Sequence, residues 1–498
     1  MNQRKIGIII SYLTLAFNIL IGLVYTPFMI TKLGDGQYGI FSLANSLISF
    51  VTLLDLGFGQ TLVRYISKAR VIGDIEEEHR LNGFFLKMYM VIALIAWVIG
   101  AGIVILYPQL AANAFVEEEI RLFRIVFLIL LVNVSISFPM SVFSATLNAY
   151  EEFFLLKLAN FIMTVFKYLV MFLLLLVGYK LVAITVVVLV SSLVTQCFYA
   201  VYSVRKIGIK FEFSRMKTNL TREILHFSFF IFLNLIIDFL YSNTDKLILG
   251  AVAGPISVSI YSIGIYFSQY FTELSTAMSG VFLPKIMDLY QKGERDEISN
   301  LFNQVGRLQM ILLFLVLGGY VCLGREFIYL WVGSTYKDSY VIGIVIMLPS
   351  IIPLTQNIGI TIIRAMNIHK YRSYMYIVIA IVNVAISIPL AILYGGIGSA
   401  IGTSIATFLG QIFFMNWFYA RRVRINIKKY WNNFLKILLM TSLVLVIVAG
   451  VKLLIPVHSW CSMVLMIFLF SVIYAVIYWL MVANKYEKKL VLSTLRKI

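Results

Sequence analysis

An unbroken apolar run of roughly twenty residues is long enough to cross a bilayer as a helix. This sequence repeats such runs from end to end, at about 6–30, 39–61, 84–107, 122–145, 155–177, 180–204, 224–249, 257–283, 303–323, 340–362, 372–394, 396–419, 433–455 and 459–483. Hydrocarbon offers no hydrogen-bond partner to a backbone N–H or C=O, so a spanning chain is either helical or a closed barrel. Barrel strands alternate polar and apolar residues over about ten positions, and the runs here do not alternate. The expected fold class is therefore an all-α polytopic membrane protein of about fourteen transmembrane helices. Charged residues make up only 13% of the 498, against about 25% in soluble domains. No soluble core could hide this much apolar surface, and no nucleic-acid partner is expected in spite of a pI near 9.6. The first run follows Arg4 and Lys5, as a signal peptide would. Its length, and the lack of a small-residue cleavage site, make it a retained first helix.

Basic residues set the expected orientation, because lysine and arginine stay on the cytoplasmic side. With the amino terminus inside, only Lys32, Arg121, Arg124, Lys180, Arg325, Lys337 and Lys452 fall on outer connections, and only Lys167 and Lys246 fall inside spans. The rest of the 41 lie on the inner connections, inner helix ends and termini. A missed helix would scramble that alternation, so both termini are expected in the cytoplasm of a bacterial inner membrane. The inner connection at 64–80 (RYISKARVIGDIEEEHR) and the tail from 484 (NKYEKKLVLSTLRKI) read as short interfacial helices that anchor to anionic lipid.

A faint internal repeat keeps a near-constant offset. Tyr38 parallels Tyr261, Asn148 parallels Asn367, and Gln196 parallels Gln411. The offset spans six helices, an even number, so the two halves share one orientation about an axis along the membrane normal. The expected domains are a six-helix lobe at 1–210, a second at 211–425, and two additional helices with a tail at 426–498. Two such lobes with a cavity between them make an alternating-access machine; a duplicated scaffold without transport is the other reading.

Ionisable residues inside a span are costly and mark functional positions by default. Asp55 lies in TLLDLGFGQ, where Gly57 and Gly59 loosen the second helix. It is either a cavity carboxylate or a packing group paired with Arg64 or a polar neighbour. Asn234, Asp238, Tyr241 and Asp245 recur at i, i+4, i+7 and i+11, one polar stripe on the seventh helix. The stripe lines a cavity or forms an interhelical network. Lys246 beside it and Lys167 in mid-span five can hold an anion or pair with an acid. Glu273 is either a proton or cation site or a partner for one of these lysines. Arg64 and Arg364 end inner helix halves, where an arginine fork suits phosphate oxygens and where ordinary topological charges also belong. No Walker loop and no metal-ligand spacing appears, and Cys197, Cys322 and Cys461 suggest no disulfide framework. No cofactor is expected; coupling to protons or sodium stays open.

The stretch TPFMITKLGDGQYGIFSLANSLISFVTLLDLGFGQTLVRYIS resembles the amino-terminal signature of bacterial Wzx-type polysaccharide flippases, members of the multidrug/oligosaccharidyl-lipid/polysaccharide exporter superfamily. SATLNAYEEFFLLKLAN, NTDKLILGAVAGPISVSIYSIG and RAMNIHKYRSY resemble later landmarks of the same proteins. The resemblance implies a two-lobed fold and alternating access. It implies a substrate carried on undecaprenyl diphosphate, moved from the inner to the outer leaflet. Arg64, Lys167, Lys246 and Arg364 would hold the diphosphate. It further implies lipid, a polysaccharide polymerase and glycosyltransferases as partners. Two other functions compete: a cation-coupled drug antiporter, which usually has twelve helices, and a membrane glycan polymerase or ligase, which needs a larger outer loop than 108–121 or 324–339 provides.

Overall fold

The computed structural model describes residues 3–111, 114–214, 218–280, 282–366 and 368–489. Asn367 of the repeat, the end of the tail, and the side chains of Asn234, Asp238 and Tyr241 lie outside the described residues. The described chain is helical, as the apolar runs require. The helices are α1 (Gln3–Leu33), α2 (Asp35–Thr52), α3 (Phe58–Ile72), α4 (Ile75–Leu110), α5 (Glu117–Ala149), α6 (Phe153–Val177), α7 (Leu181–Tyr202), α8 (Thr218–Gly280), α9 (Leu283–Gln291), α10 (Arg295–Val332), α11 (Lys337–Thr355), α12 (Ile358–Ala365), α13 (His369–Thr407), α14 (Met415–Phe418), α15 (Ile427–Leu454) and α16 (Trp460–Met481). Among the described residues twelve segments are long and apolar enough to cross a membrane. Two of these contain a sharp break, at Gly254 in α8 (φ 80) and at Gly395 in α13 (φ 58). Dividing the twelve at these two breaks reconciles them with the expected fourteen.

The Gly395 break reverses the chain. The Asn383 side-chain Oδ1 accepts from Ser387 Oγ at 2.9 Å and from Thr403 Oγ1 at 3.2 Å. A methyl group on Gly398 would meet the carbonyl of Leu390 at 1.9 Å, and one on Gly402 would meet Ser387 Oγ at 2.4 Å. The two arms of α13 are therefore a hairpin so close that glycine is required at the contact.

By contacts the chain divides into two compact units, Met1–Ser259 and Ile260–Ile498. In the first, the stretch expected as one interfacial helix at 64–80 is instead divided. Gly73 (φ 81) caps α3, and Asp74 caps α4 by accepting from the N–H of Glu77. The charge-rich residues thus extend two long helices, because a left-handed glycine followed by a capping aspartate stops one helix and starts the next. Just before the break, Arg70 donates to the carbonyl of Ala149 at 2.7 Å and lies over the Tyr150 ring at 4.1 Å. Tyr150 in turn donates to Glu78 at 2.9 Å. Burial and the adjacent Glu78 carboxylate push the Tyr150 phenol up to about 12.

In the second unit α10 is the central post. Tyr474 of α16 donates to the carbonyl of Ile311 at 2.8 Å, and Phe470 and Thr441 close on Gly318. At one end Lys452 of α15 pairs with Glu326 at 2.8 Å. At the other, Arg307 pairs with Glu487 just after α16. The first turn of the tail is accordingly docked on protein through a buried carboxylate, where a lipid anchor had been expected. The two additional helices are clamped along the whole of α10.

Candidate functional site

The site begins at a break in the second span. α2 ends at Thr52, Leu53–Asp55 makes one 3₁₀ turn, and Leu56 (φ 51) and Gly57 (φ 73) enter the left-handed region. A left-handed leucine costs about 1–2 kcal/mol, so surrounding contacts must hold it. One is the approach of α8: a methyl group on Gly57 would lie 2.4 Å from Ile231 Cγ2. Both backbone angle and space demand glycine there. Asp55 sits at this break. Its Oδ1 accepts from Tyr89 Oη at 2.8 Å, and the N–H groups of Gly57 and Gly59 also face it. Its partner is thus a tyrosine on α4 and main-chain amides, not Arg64.

From the break α3 runs along α8. Thr61 Oγ1 bonds Ser228 Oγ at 2.8 Å, and the Arg64 guanidinium lies over the Phe227 ring at 4.3 Å. Farther along, Phe50 of α2 packs on Phe239 at 5.7 Å. Residues 227, 228, 231 and 239 therefore mark the face of α8 that meets α2 and α3. The Asp55 break and Arg64 thus both lie along this arm of α8. Two turns on, Asp245 is buried and Lys246 half-buried. Tyr107 Oη anchors that end by donating to the Leu247 carbonyl at 3.1 Å.

Lys167 stands apart from this line, on α6. It is half-buried, and its Nζ lies 4.8 Å from the Tyr168 ring centroid. Tyr168 packs edge-on against Tyr25 of α1 at 5.3 Å. Among the described residues no carboxylate lies within ion-pair distance of Lys167, Lys246 or Arg64. Glu273 and Arg364 belong to the other unit, and both are exposed. The helix arm bearing Glu273 is pinned on its far side by Ser275, which donates to the Leu354 carbonyl at 2.6 Å. Gln309 holds it too, donating to Ser279 Oγ at 2.8 Å.

Cations within apolar helices, with no carboxylate partner, are suited to anionic oxygens that arrive with a ligand. Asp55 is held by neutral donors and needs no cation. Tyr89 was missed by sequence reasoning; a lone tyrosine in KMYMVIAL carries no signal until its helix is placed beside Asp55.

A model of the family described as "Polysaccharide biosynthesis protein" matches residues 33–342. A Bacillus subtilis (strain 168) membrane protein, EpsK, described as uncharacterized, is 21% identical over 493 residues, covering 95% of this chain and 94% of its own. Among solved structures, the lipid II flippase MurJ in an inward closed conformation matches with a TM-score of 0.71 at 18% identity, over 94% of this chain and 98% of its own. An inward-facing multidrug resistance MATE family transporter of the MOP superfamily matches with a TM-score of 0.65 at 13% identity, over 80% of this chain and 94% of its own.

Proposed function

From the premise that this chain belongs to the polysaccharide biosynthesis protein family, we propose that it is a flippase. It carries an undecaprenyl-diphosphate-linked oligosaccharide from the cytoplasmic to the outer leaflet by alternating access, for assembly of a cell-surface polysaccharide. The observation that carries this reading is the fold shared with a lipid II flippase over 94% of the chain. The drug-transporter match spans 80% of the chain.

In this reading the lobes are 1–210 and 211–425, with 426–498 as an appended pair of helices, and both termini face the cytoplasm. Arg64, Lys167, Lys246 and Arg364 receive the diphosphate. Asp55, Asp238, Asp245, Glu273, Asn234 and Tyr241 line its path. That no carboxylate among the described residues pairs with Arg64, Lys167 or Lys246 supports that role. An anionic headgroup supplies the counter-charge that the protein leaves out, and its departure restores the cost of a solvated cation, so neither bound nor empty state is trapped. Glycosyltransferases would supply the substrate and a polymerase would take it.

The test is reconstitution in liposomes with labelled undecaprenyl-diphosphate glycan. Protein-dependent transfer between leaflets is expected, with Arg64→Ala and Lys246→Ala inserted normally but inactive. Absent transfer alongside active drug efflux would replace the flippase reading with the antiporter one.

A further inference from the structure

Within the first unit a cleft of about 250 Å³ opens between α5, α6 and α7. At ~30 Å³ per water it holds roughly eight waters, or one sugar ring. Its walls carry Ser137, Ser141 and Ser144 from α5, Asn160 from α6, and Thr195 and Gln196 from α7. The three serines recur at i, i+4 and i+7, one face of the helix. In a membrane segment so many hydroxyls must face protein or water.

The hydrogen bonds decide what the cleft can accept. Ser137 donates to the Asn133 carbonyl at 2.7 Å, Ser141 to the Ser137 carbonyl at 2.8 Å, and Ser144 to the Ser141 carbonyl at 3.1 Å. Thr195 donates to the Ser191 carbonyl at 2.8 Å. These four hydroxyl protons are thus committed to their own helices, and the oxygen lone pairs remain. Gln196 Nε2 donates to Ser137 Oγ at 2.6 Å and to Ser192 Oγ at 3.0 Å, which commits its amide protons as well. Its Oε1 is buried and has no partner. A buried carbonyl left unsatisfied costs about 1–3 kcal/mol, and a donor on a ligand would recover it.

The cleft therefore presents acceptors from these side chains, beside the Asn160 amide and the Ser192 hydroxyl, which can also donate. It has no cationic lining residue to hold a phosphate and no carboxylate to hold a cation. What remains is a neutral ligand rich in hydroxyl donors. We propose that this cleft takes one sugar ring of the glycan headgroup, separately from the cations that receive the diphosphate. The inference rests on the flippase reading and adds a subsite for the uncharged part of the substrate.

The test compares wild type, Gln196→Leu and the triple variant Ser137→Ala, Ser141→Ala, Ser144→Ala in proteoliposomes. Two substrates are used, undecaprenyl-diphosphate glycan and bare undecaprenyl diphosphate. For the glycan-bearing lipid the apparent KM should rise about fivefold to tenfold, the effect of one or two lost hydrogen bonds. Transfer of the bare lipid and the thermal unfolding midpoint should be unchanged. Equal losses on both substrates, or no loss on either, would overturn the subsite while leaving the flippase intact. If wild type moves neither lipid, the flippase reading itself has failed. The cleft is then judged by thermal protection with free glucose, galactose and N-acetylglucosamine. Protection lost in Gln196→Leu keeps the sugar site, and no protection by any of the three removes it.

Discussion

Arg64 and Arg307 both stand near the ends of apolar helices, yet the protein consumes one and leaves the other open. Arg307 is 6% exposed. It pairs with Glu487, donates to Asn433 Oδ1 at 3.1 Å and reaches the Val482 carbonyl. Glu487 is also held by Tyr478 Oη and by the Asn484 N–H at 2.8 Å. Arg64 is exposed and lies over the face of Phe227, with no ion-pair partner among the described residues. A charge saturated by its own protein fixes two helices to each other. A charge stacked on an aromatic face, with no acid beside it among the described residues, keeps its donors for something that comes and goes.

Four experiments can break or sharpen this contrast. The largest effect is expected for Glu487→Ala, which strands a buried arginine. Breaking such a pair costs about 3–5 kcal/mol, read as a fall in the thermal unfolding midpoint in detergent. Replacing both partners with methionine should recover much of that loss; no recovery would mean the tail acts through something other than the pair. Next comes Tyr89→Phe, which removes the hydroxyl donor to Asp55. A net intramolecular hydrogen bond contributes about 0.5–1.5 kcal/mol, so a midpoint equal to wild type would show the Asp55 break to be held by its amides alone.

Acidification gives the third. Burial pushes the Glu487 carboxyl up, but the hydrogen bonds from Arg307, Tyr478 and Asn484 outweigh it and hold the group below its ordinary value. A group depressed in the folded state contributes its full stability above the unfolded-state value, about 4.3 for glutamate. That contribution is lost as pH falls through the folded value. The unfolding midpoint of wild type should therefore drop over that acid range more than that of Glu487→Gln. Parallel curves would remove Glu487 from the linkage. The smallest change in stability belongs to Arg64→Ala, which gives up a cation–π contact of about 0.5–1 kcal/mol while abolishing transport. A loss as large as that of Glu487→Ala would erase the distinction between the two arginines.

Some of the site was legible along the chain and some was not. Asp55 between an apolar run and two glycines announced a helix break, because glycine is the residue that tolerates φ 73. Lys167 and Lys246 announced themselves as charges in apolar spans. Arg307 did not stand out, since its position suits ordinary topological charge. Its partner lies 180 residues away, in a tail that composition assigned to lipid. The serines at 137, 141 and 144 were equally quiet. Hydroxyls are common in membrane helices, and a stripe becomes a cleft only when Gln196 is packed across from it.

The sequence by itself determined that this chain is helical, lies in a bilayer and crosses it about fourteen times. Those properties follow from summed transfer energies and from the need to satisfy each backbone group within its own segment, and both are local in the chain. Tertiary structure alone decided which charges are satisfied: Tyr89 for Asp55, Glu487 for Arg307, and no acid among the described residues for Arg64, Lys167 or Lys246. Ion pairing depends on distances of a few ångströms between helices far apart in sequence, and hydropathy carries no record of them.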